Sequence, residues 1–520
     1  LARREAWLAV AAIAVSILIM IVISAGGPDL SVPQVHGTAS PPWWHPLHFT
    51  ATFTIVAMWT AMILGAAGIV AGLAAVARGA RLPAGFIVAA GLLAAAVLVV
   101  LPPAGSTDAL SYAANGRMAV IGHSPYVMTP RQLAAIGDPI GHQLKAIPSL
   151  WNNTVSVYGP VATAAEWVAA ELGGASLAHI TFWLKLLEAL CFGAVALVLD
   201  RMLRHDPAMR LRAHLLWTVN PLLLWEIVAG GHIDGLSAVF GLLAVVALRR
   251  NLALPGAFAS GLLIGLATGV KVEYALLGLA VAVAACRHGR DAGRSIPGRQ
   301  ASRALAAAAA GFAVVILPSY LLAGTPALKV LVTRSPGITW DTMYQLFWRP
   351  VLGYTSFDVN HVPPHLELVA YLLFAAIAIL AMLRFPDRTP DLPALAPALG
   401  LSVAWLFVTA FQRPWYDVMA VSLLALYSAS LLDWVVLVRL LGGATVYVIA
   451  VASPVEPHWL YDLGQFNGTW LTPAIRLLAT VALVWLCVSG RWGWRSSYPQ
   501  SLAVDNPPDN VPGHRLPLAT

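Results

Sequence analysis

Charge is scarce in this chain of 520 residues. Asp, Glu, Lys and Arg make up 11% of it, against roughly 25% in soluble domains. Hydrophobic residues make up 59%, and mean hydropathy is +0.75. So few charges cannot cover a soluble surface, and the three or four soluble domains that length alone suggests are excluded. Cysteine is nearly absent. Cys191, Cys286 and Cys487 each sit in an apolar run, which excludes a disulfide scaffold and a cysteine-based zinc site. There are four lysines, none of them after a glycine, so there is no phosphate-loop lysine of a nucleotide-driven pump. No His-Glu-x-x-His occurs either. What remains is a polytopic membrane protein, and the net charge of +7, carried by arginine, suits membrane anchoring rather than nucleic acid.

Present in place of charge is a succession of apolar runs: 7–25, 50–77, 83–102, 176–200, 214–230, 233–249, 255–270, 272–287, 303–323, 366–384, 394–411, 417–431, 434–452 and 471–489. They predict an all-α fold of about fourteen transmembrane helices in one domain, 1–495, with the four short runs of 214–287 the hardest to count. The first run lacks a small-residue cleavage site and reads as a retained helix. With the N-terminus inside, nineteen basic residues fall on the cytoplasmic side and eight opposite, which orients both termini to the cytoplasm. The long loops 26–49, 103–175, 324–365 and 453–470 are then exterior. Loops held on a rigid scaffold are where function concentrates, so 103–175 is the first catalytic exterior loop and 324–365 the second long exterior loop. Periodic stretches at 108–121 and 159–172 predict short interfacial helices. The proline-rich segment 496–520 reads as a disordered tail.

Acids are sparse enough for their positions to inform. Asp108, in GSTDALSYAANGR, falls at an exterior helix start with Ser106 or Thr107 as a cap; it serves either the helix terminus alone or a reacting group. Arg117, nine residues on, either anchors at the interface or approaches an anionic ligand. GGHIDG places His232 and Asp234 in a tight exterior turn between two short runs. TGVKVEY offers Lys271, with Glu273 as its nearest partner: an ion pair or an anion site. Lys185 and Glu188, three apart in the fourth run, share a helix face and could neutralise each other. FQRPWYD puts Arg413, Trp415, Tyr416 and Asp417 at another exterior helix end. An aromatic belt explains it, as does a sugar platform with a phosphate clamp. Sugar transfer from a polyprenyl phosphate needs this combination. A carboxylate deprotonates the acceptor hydroxyl, and cations hold the departing phosphate. Asp108 is the candidate base, with Lys271, Arg117 and Arg413 as phosphate ligands. No metal or other cofactor is required by this chemistry.

TDALSYAANGRMAVIGHSPY resembles the first-loop motif of GT-C glycosyltransferases, particularly the polyprenyl-phosphomannose-dependent α-mannosyltransferases of mycobacteria and corynebacteria. VSVYGPV is similar to the family's Tyr-Gly-Pro turn, NPLLLWEIVAGGHIDG to its Asn-Pro…Gly-Gly…His segment, TGVKVEY to its lysine segment and RPWYD to its Pro-Trp-Tyr. The order holds over about residues 100–420. Ala109-Leu110 and His123-Ser124 depart from the pattern. The resemblance implies a GT-C fold, Asp108 as general base, and inverting mannosyl transfer onto a lipomannan-type glycolipid or polysaccharide acceptor at the exterior face of the plasma membrane. It adds Lys185 to the phosphate ligands. Sugar contacts then fall to Tyr112, Tyr126, Tyr158, His232, Asp234, Trp415 and Tyr416. An arabinosyl- or glucosyltransferase is the alternative within the class, and a lipid-linked sugar flippase or transporter the alternative outside it.

Overall fold

The computed structural model describes residues 2–26, 47, 49–291, 298–333, 339, 341–347, 364–389, 391–448 and 456–493. Among these, every regular element is a helix. In chain order they are α1 (Ala2–Ser24), α2 (Ala51–Ala77), α3 (Ala84–Val100), α4 (Asp108–Val120), α5 (Pro130–Ala135), α6 (Ser149–Asn152), α7 (Pro160–Gly173), α8 (Leu177–Met202), α9 (Pro207–Leu216) and α10 (Pro221–Leu223). There follow α11 (Asp234–Ala247), α12 (Leu254–Val270), α13 (Leu276–Asp291), α14 (Arg299–Thr333) and α15 (Pro364–Arg384). The last are α16 (Leu395–Val408), α17 (Val418–Leu426), α18 (Leu432–Tyr447), α19 (His458–Phe466) and α20 (Thr472–Ser489). The expected tail 496–520 and most of loops 26–49 and 324–365 lie outside the described residues.

Local chemistry sets several of these boundaries. Thr50 caps α2 by accepting from the backbone N–H of Phe53, and Asp206 caps α9 through the N–H groups of Ala208 and Met209, with Pro207 at the first helical position. Thr129 and Gln132 form a reciprocal capping box on α5. At the far end, α20 stops at Gly490, whose φ of +66° is left-handed.

Each of the fourteen apolar runs overlaps a helix within its described residues, but the helices differ in kind. Five among the described residues are long and apolar enough to cross a membrane: α1, α2, α8, most of α14, and His458–Ser489. A sixth arises if the pair Pro221–Ala229 and Asp234–Ala247 is one span, bent by 115° at its break. Five more apolar helices are shorter. The run 214–230 is not continuous: α9 ends at Leu216, and α10 widens into a π-helical turn over Leu224–Ala229. In the loop 103–175, the two expected interfacial helices are α4 and α7, within a few residues of their expected ends.

Small residues bring the helix axes close, as membrane helices require when no hydrophobic force separates protein from lipid. α12 and α14 meet at Gly261, where an added Cβ would lie 1.8 Å from the Ala308 carbonyl, and at Gly311, where it would lie 2.2 Å from that of Phe258. α4 and α7 meet at Gly116, against the Glu166 carbonyl. Ser16 of α1 donates to the Ala61 carbonyl of α2 at 2.6 Å. The Tyr158-Gly159-Pro160 turn docks on the end of α12: Gly159 N–H donates to the Val270 carbonyl at 3.1 Å, and a Cβ on Gly159 would lie 2.2 Å from the Gly269 carbonyl. Gly159→Ala must therefore push the turn off α12, lowering the melting midpoint in detergent. Gly85→Ala, in open space on α3, is expected to leave it unchanged or slightly raised.

Candidate active site

Four chain breaks converge on Asp108. The first is the turn that carries it. Gly105, at φ +84°, lies against the Trp225 indole, and Ala104 N–H donates to the Ala229 carbonyl at 3.0 Å. These contacts pin the end of the Leu101–Thr107 connection to the α10 break. Ser106 rather than Thr107 does the capping, its Oγ accepting from Asp108 N–H at 3.0 Å. The second break is Gly230–Ile233, between α10 and α11. Gly231, at φ +65°, lies against Ala109 and the stem of Lys185, which brings His232 Nε2 to 3.9 Å from Asp108 Oδ2. The third is the end of α12 at Lys271, and the fourth the 3-10 turn Pro414–Asp417.

Lys271 joins them. Its Nζ donates to Asp234 Oδ1 at 2.7 Å, stands 3.8 Å from Glu273, and lies 3.6 Å over the Tyr416 ring. The Tyr158 ring is 5.9 Å away. Tyr158 and Tyr112 meet edge to face, with their hydroxyls 3.1 Å apart. His232 stacks on Trp415, with centroids 3.6 Å apart and planes 13° from parallel. Arg413 lies over Phe411 and Tyr447 at 4.9 and 5.5 Å, and has no carboxylate within ion-pair distance among the described residues. Burial raises the Asp108 carboxyl above the ordinary aspartate range; the charges of Arg413 and Lys271 and the hydroxyls of Ser106 and Tyr112 oppose that rise. The Asp108 side chain is 21% exposed while His232 is 1% exposed, so the carboxylate forms the open side of a largely buried site. Among the described residues, no three His, Cys, Asp or Glu side chains are grouped to hold a metal ion.

Comparison with known proteins bears on the same residues. The sequence pattern of the MptA_B family, described as alpha-(1->6)-mannopyranosyltransferase, N-terminal domain, matches residues 9–287. The chain belongs to this family. The matched stretch includes Asp108, His232, Asp234 and Lys271, and stops short of Arg413 and Trp415. A probable alpha-(1->6)-mannopyranosyltransferase of Mycolicibacterium smegmatis is 29% identical over 140 residues, 27% of this chain and 24% of that protein. An alpha-(1->6)-mannopyranosyltransferase of Mycobacterium tuberculosis is 28% identical over 143 residues, 27% of this chain and 23% of that protein. The aligned stretch thus spans about a quarter of each of these relatives.

Three residues expected at the site of this mannopyranosyltransferase-family chain are used elsewhere. Lys185 donates to the carbonyls of Leu98, Leu101 and Pro102 at 2.6, 2.6 and 3.1 Å. It caps the end of α3 and has no donor left for a phosphate, since an ammonium has three. Nor does it neutralise Glu188, whose carboxylate instead faces Gly235 at the start of α11. Arg117 pairs with Asp138 at 2.9 Å inside its own loop. The Tyr126 hydroxyl bonds Thr163 Oγ1 at 2.8 Å, and its ring belongs to a separate cluster with Tyr320, Ala327 and Val330.

Other polar groups were not anticipated. Arg439 of α18 pairs with Asp417 and bonds Gln412 at 3.0 Å; Arg476 of α20 pairs with Asp341 at 2.6 Å. An arginine inside an apolar run is itself the available signal. Arg212, counted with the cytoplasmic anchors, is instead buried in a two-pronged pair with Asp433 at 2.6 and 2.8 Å. Glu166 of α7 lies buried against Asn115 of α4, and burial pushes its carboxyl up to about 8.

Two outcomes follow from these buried charges. Lys271→Met leaves Asp234 buried and unpaired, which should cost about 3–5 kcal/mol. Adding Asp234→Asn should recover much of it, as read from unfolding in detergent. At Glu166 the native state holds a proton up to about pH 8, whereas the unfolded chain releases it near the ordinary glutamate value. Stability therefore falls as pH rises between those values and levels off above the higher one. In melting scans across pH, Glu166→Gln should remove that slope.

Proposed function

We propose that this chain transfers mannose from polyprenyl-phosphate-mannose to a glycolipid or lipoglycan acceptor, forming an α-(1→6) linkage at the exterior face of the plasma membrane. The observation that carries this reading is the placement of Asp108: one partly open carboxylate, influenced by Arg413 and Lys271, with a stacked histidine and tyrosines around it. The names of the relatives supply the sugar and the linkage. Asp108 takes the proton of the acceptor hydroxyl as its oxygen bonds to the anomeric carbon, and the bond from that carbon to the phosphate oxygen breaks. Attack opposite the leaving phosphate inverts the anomeric carbon. The polyprenyl phosphate leaves with the electron pair, its growing charge stabilised by cations already oriented before the reaction. Lys271 is already matched by Asp234, so Arg413 carries most of this role and Lys271 adds to the field. His232, Trp415 and Tyr416 supply ring faces and polar edges for sugar.

A transporter is the second reading, favoured by the 115° break at His232 and Asp234, because transporters bind substrate at interrupted helices. The two separate in reconstituted vesicles. The enzyme forms a mannosylated product in detergent from polyprenyl-phosphate-mannose and acceptor, without needing a sealed membrane; the transporter needs the membrane and forms none. A screen of mannosyl, arabinosyl and glucosyl donors fixes the sugar. Asp108→Asn is expected to fold normally and to lose at least 10²-fold in turnover, the scale of general base catalysis; near-normal transfer by that variant rules out Asp108 as the base. Because a base acts only when ionised, the rate should fall as pH drops through the raised Asp108 value. The acid limb should therefore lie above the ordinary aspartate range.

A further inference from the structure

His232 is held so that its role follows from its hydrogen bonds. Nδ1 bonds the carbonyl of Glu226, six residues earlier in the π-helical turn. A carbonyl oxygen only accepts, so Nδ1 carries the proton. Nε2 of the neutral ring then presents a lone pair. Stacking on Trp415 fixes the ring plane, and a Cβ at Gly230 would lie 2.6 Å from the ring; only glycine there lets the imidazole fold back onto the carbonyl. Nε2 has no hydrogen-bond partner among the described residues, and it faces the Asp108 carboxylate at 3.9 Å. Two acceptors thus stand side by side, the Asp108 carboxylate partly open and His232 Nε2 buried behind it. A single hydroxyl has one proton and cannot satisfy both.

We propose that His232 is a specificity-determining residue of the acceptor site, its Nε2 accepting a hydrogen bond from a second hydroxyl of the acceptor sugar while Asp108 takes the proton of the reacting one. The inference rests on the glycosyl-transfer reading. His232 removes no proton; it fixes which hydroxyl faces the base. The spacing of the two acceptors fits two hydroxyls of one sugar ring. Loss of the second contact should therefore fall on acceptor KM and on linkage fidelity more than on kcat.

Two substitutions separate this role from a structural one. Asn places an amide donor near the position of Nδ1, so His232→Asn retains the bond to Glu226 and removes the acceptor at Nε2. His232→Gln reaches the Nε2 position with an amide oxygen and gives up the Glu226 bond. Using polyprenyl-phosphate-mannose and a mannoside acceptor, His232→Asn is expected to raise acceptor KM about 3- to 10-fold, the scale of one lost hydrogen bond, and to produce mixed linkages. His232→Gln should recover part of the affinity. A set of monodeoxy mannosides supplies the other half of the cycle. One of them should cost the wild type a similar factor and cost His232→Asn little. If His232→Asn matches the wild type, or every deoxy acceptor penalises both equally, the proposal is overturned. Nitrogen NMR of ¹⁵N-histidine-labelled protein, with His232→Asn identifying the signal, reads the tautomer independently of activity: a proton on Nε2 rather than Nδ1 overturns it as well. A wild type that transfers no sugar, yet shows the Nδ1–H form, places the failure in the glycosyl-transfer reading instead.

Discussion

The buried pair between Lys271 and Asp234 is the contact on which the rest of the site depends. At 2.7 Å and almost out of solvent, each charge is tolerable only because of the other. The pair also connects elements far apart in sequence. Asp234 opens α11, Lys271 ends α12, and the Tyr416 ring under the ammonium belongs to the turn before α17. Each of these positions is a helix terminus or break, where backbone groups are left without intrahelical partners. Side chains are free to project there without being committed to a packed helix face, which is why a site in an apolar bundle collects at interruptions.

Scarcity of charge gives each cation a specific use. Lys185 is spent on the three carbonyls that end α3, and through its stem on Gly231 it sets the spacing between the Asp108 helix and the His232 turn. Arg117 closes its own loop onto Asp138. Arg413 stands apart as a guanidinium bounded by aromatic rings. Its turn is mounted from behind by Arg439, which holds Asp417 and Gln412 on either side of it. In the same half of the chain, Arg476 fastens Asp341, from the second long loop, to α20. A buried, hydrogen-bonded support of this kind orients the turn that carries the guanidinium better than a mobile loop would.

Legibility in the sequence followed the range of the interaction. Helix positions depend on hydrophobic runs and local caps, so α4 and α7 fell within a few residues of their expected bounds. The candidates Asp108, His232, Asp234, Lys271 and Arg413 stood out because polar groups in an apolar chain are rare, and Trp415 by its place beside Arg413; the structure brings all six together. Lys185, Arg117 and Tyr126 stood out for the same reason and are engaged elsewhere. Rarity marks a polar group as important without stating its partner.

Composition and periodicity alone determined that this is a membrane protein whose described residues are helical, and picked out the few polar groups on its helix ends, loops and apolar runs. Those properties are sums over local terms, and sums survive ignorance of the contacts. Tertiary structure alone decided the division of labour among the charges. The partners of Lys185 are backbone carbonyls more than 80 residues away, and Nδ1 of His232 is fixed by a carbonyl that any residue at position 226 would supply. A backbone partner leaves no mark in the identity of the residue that provides it.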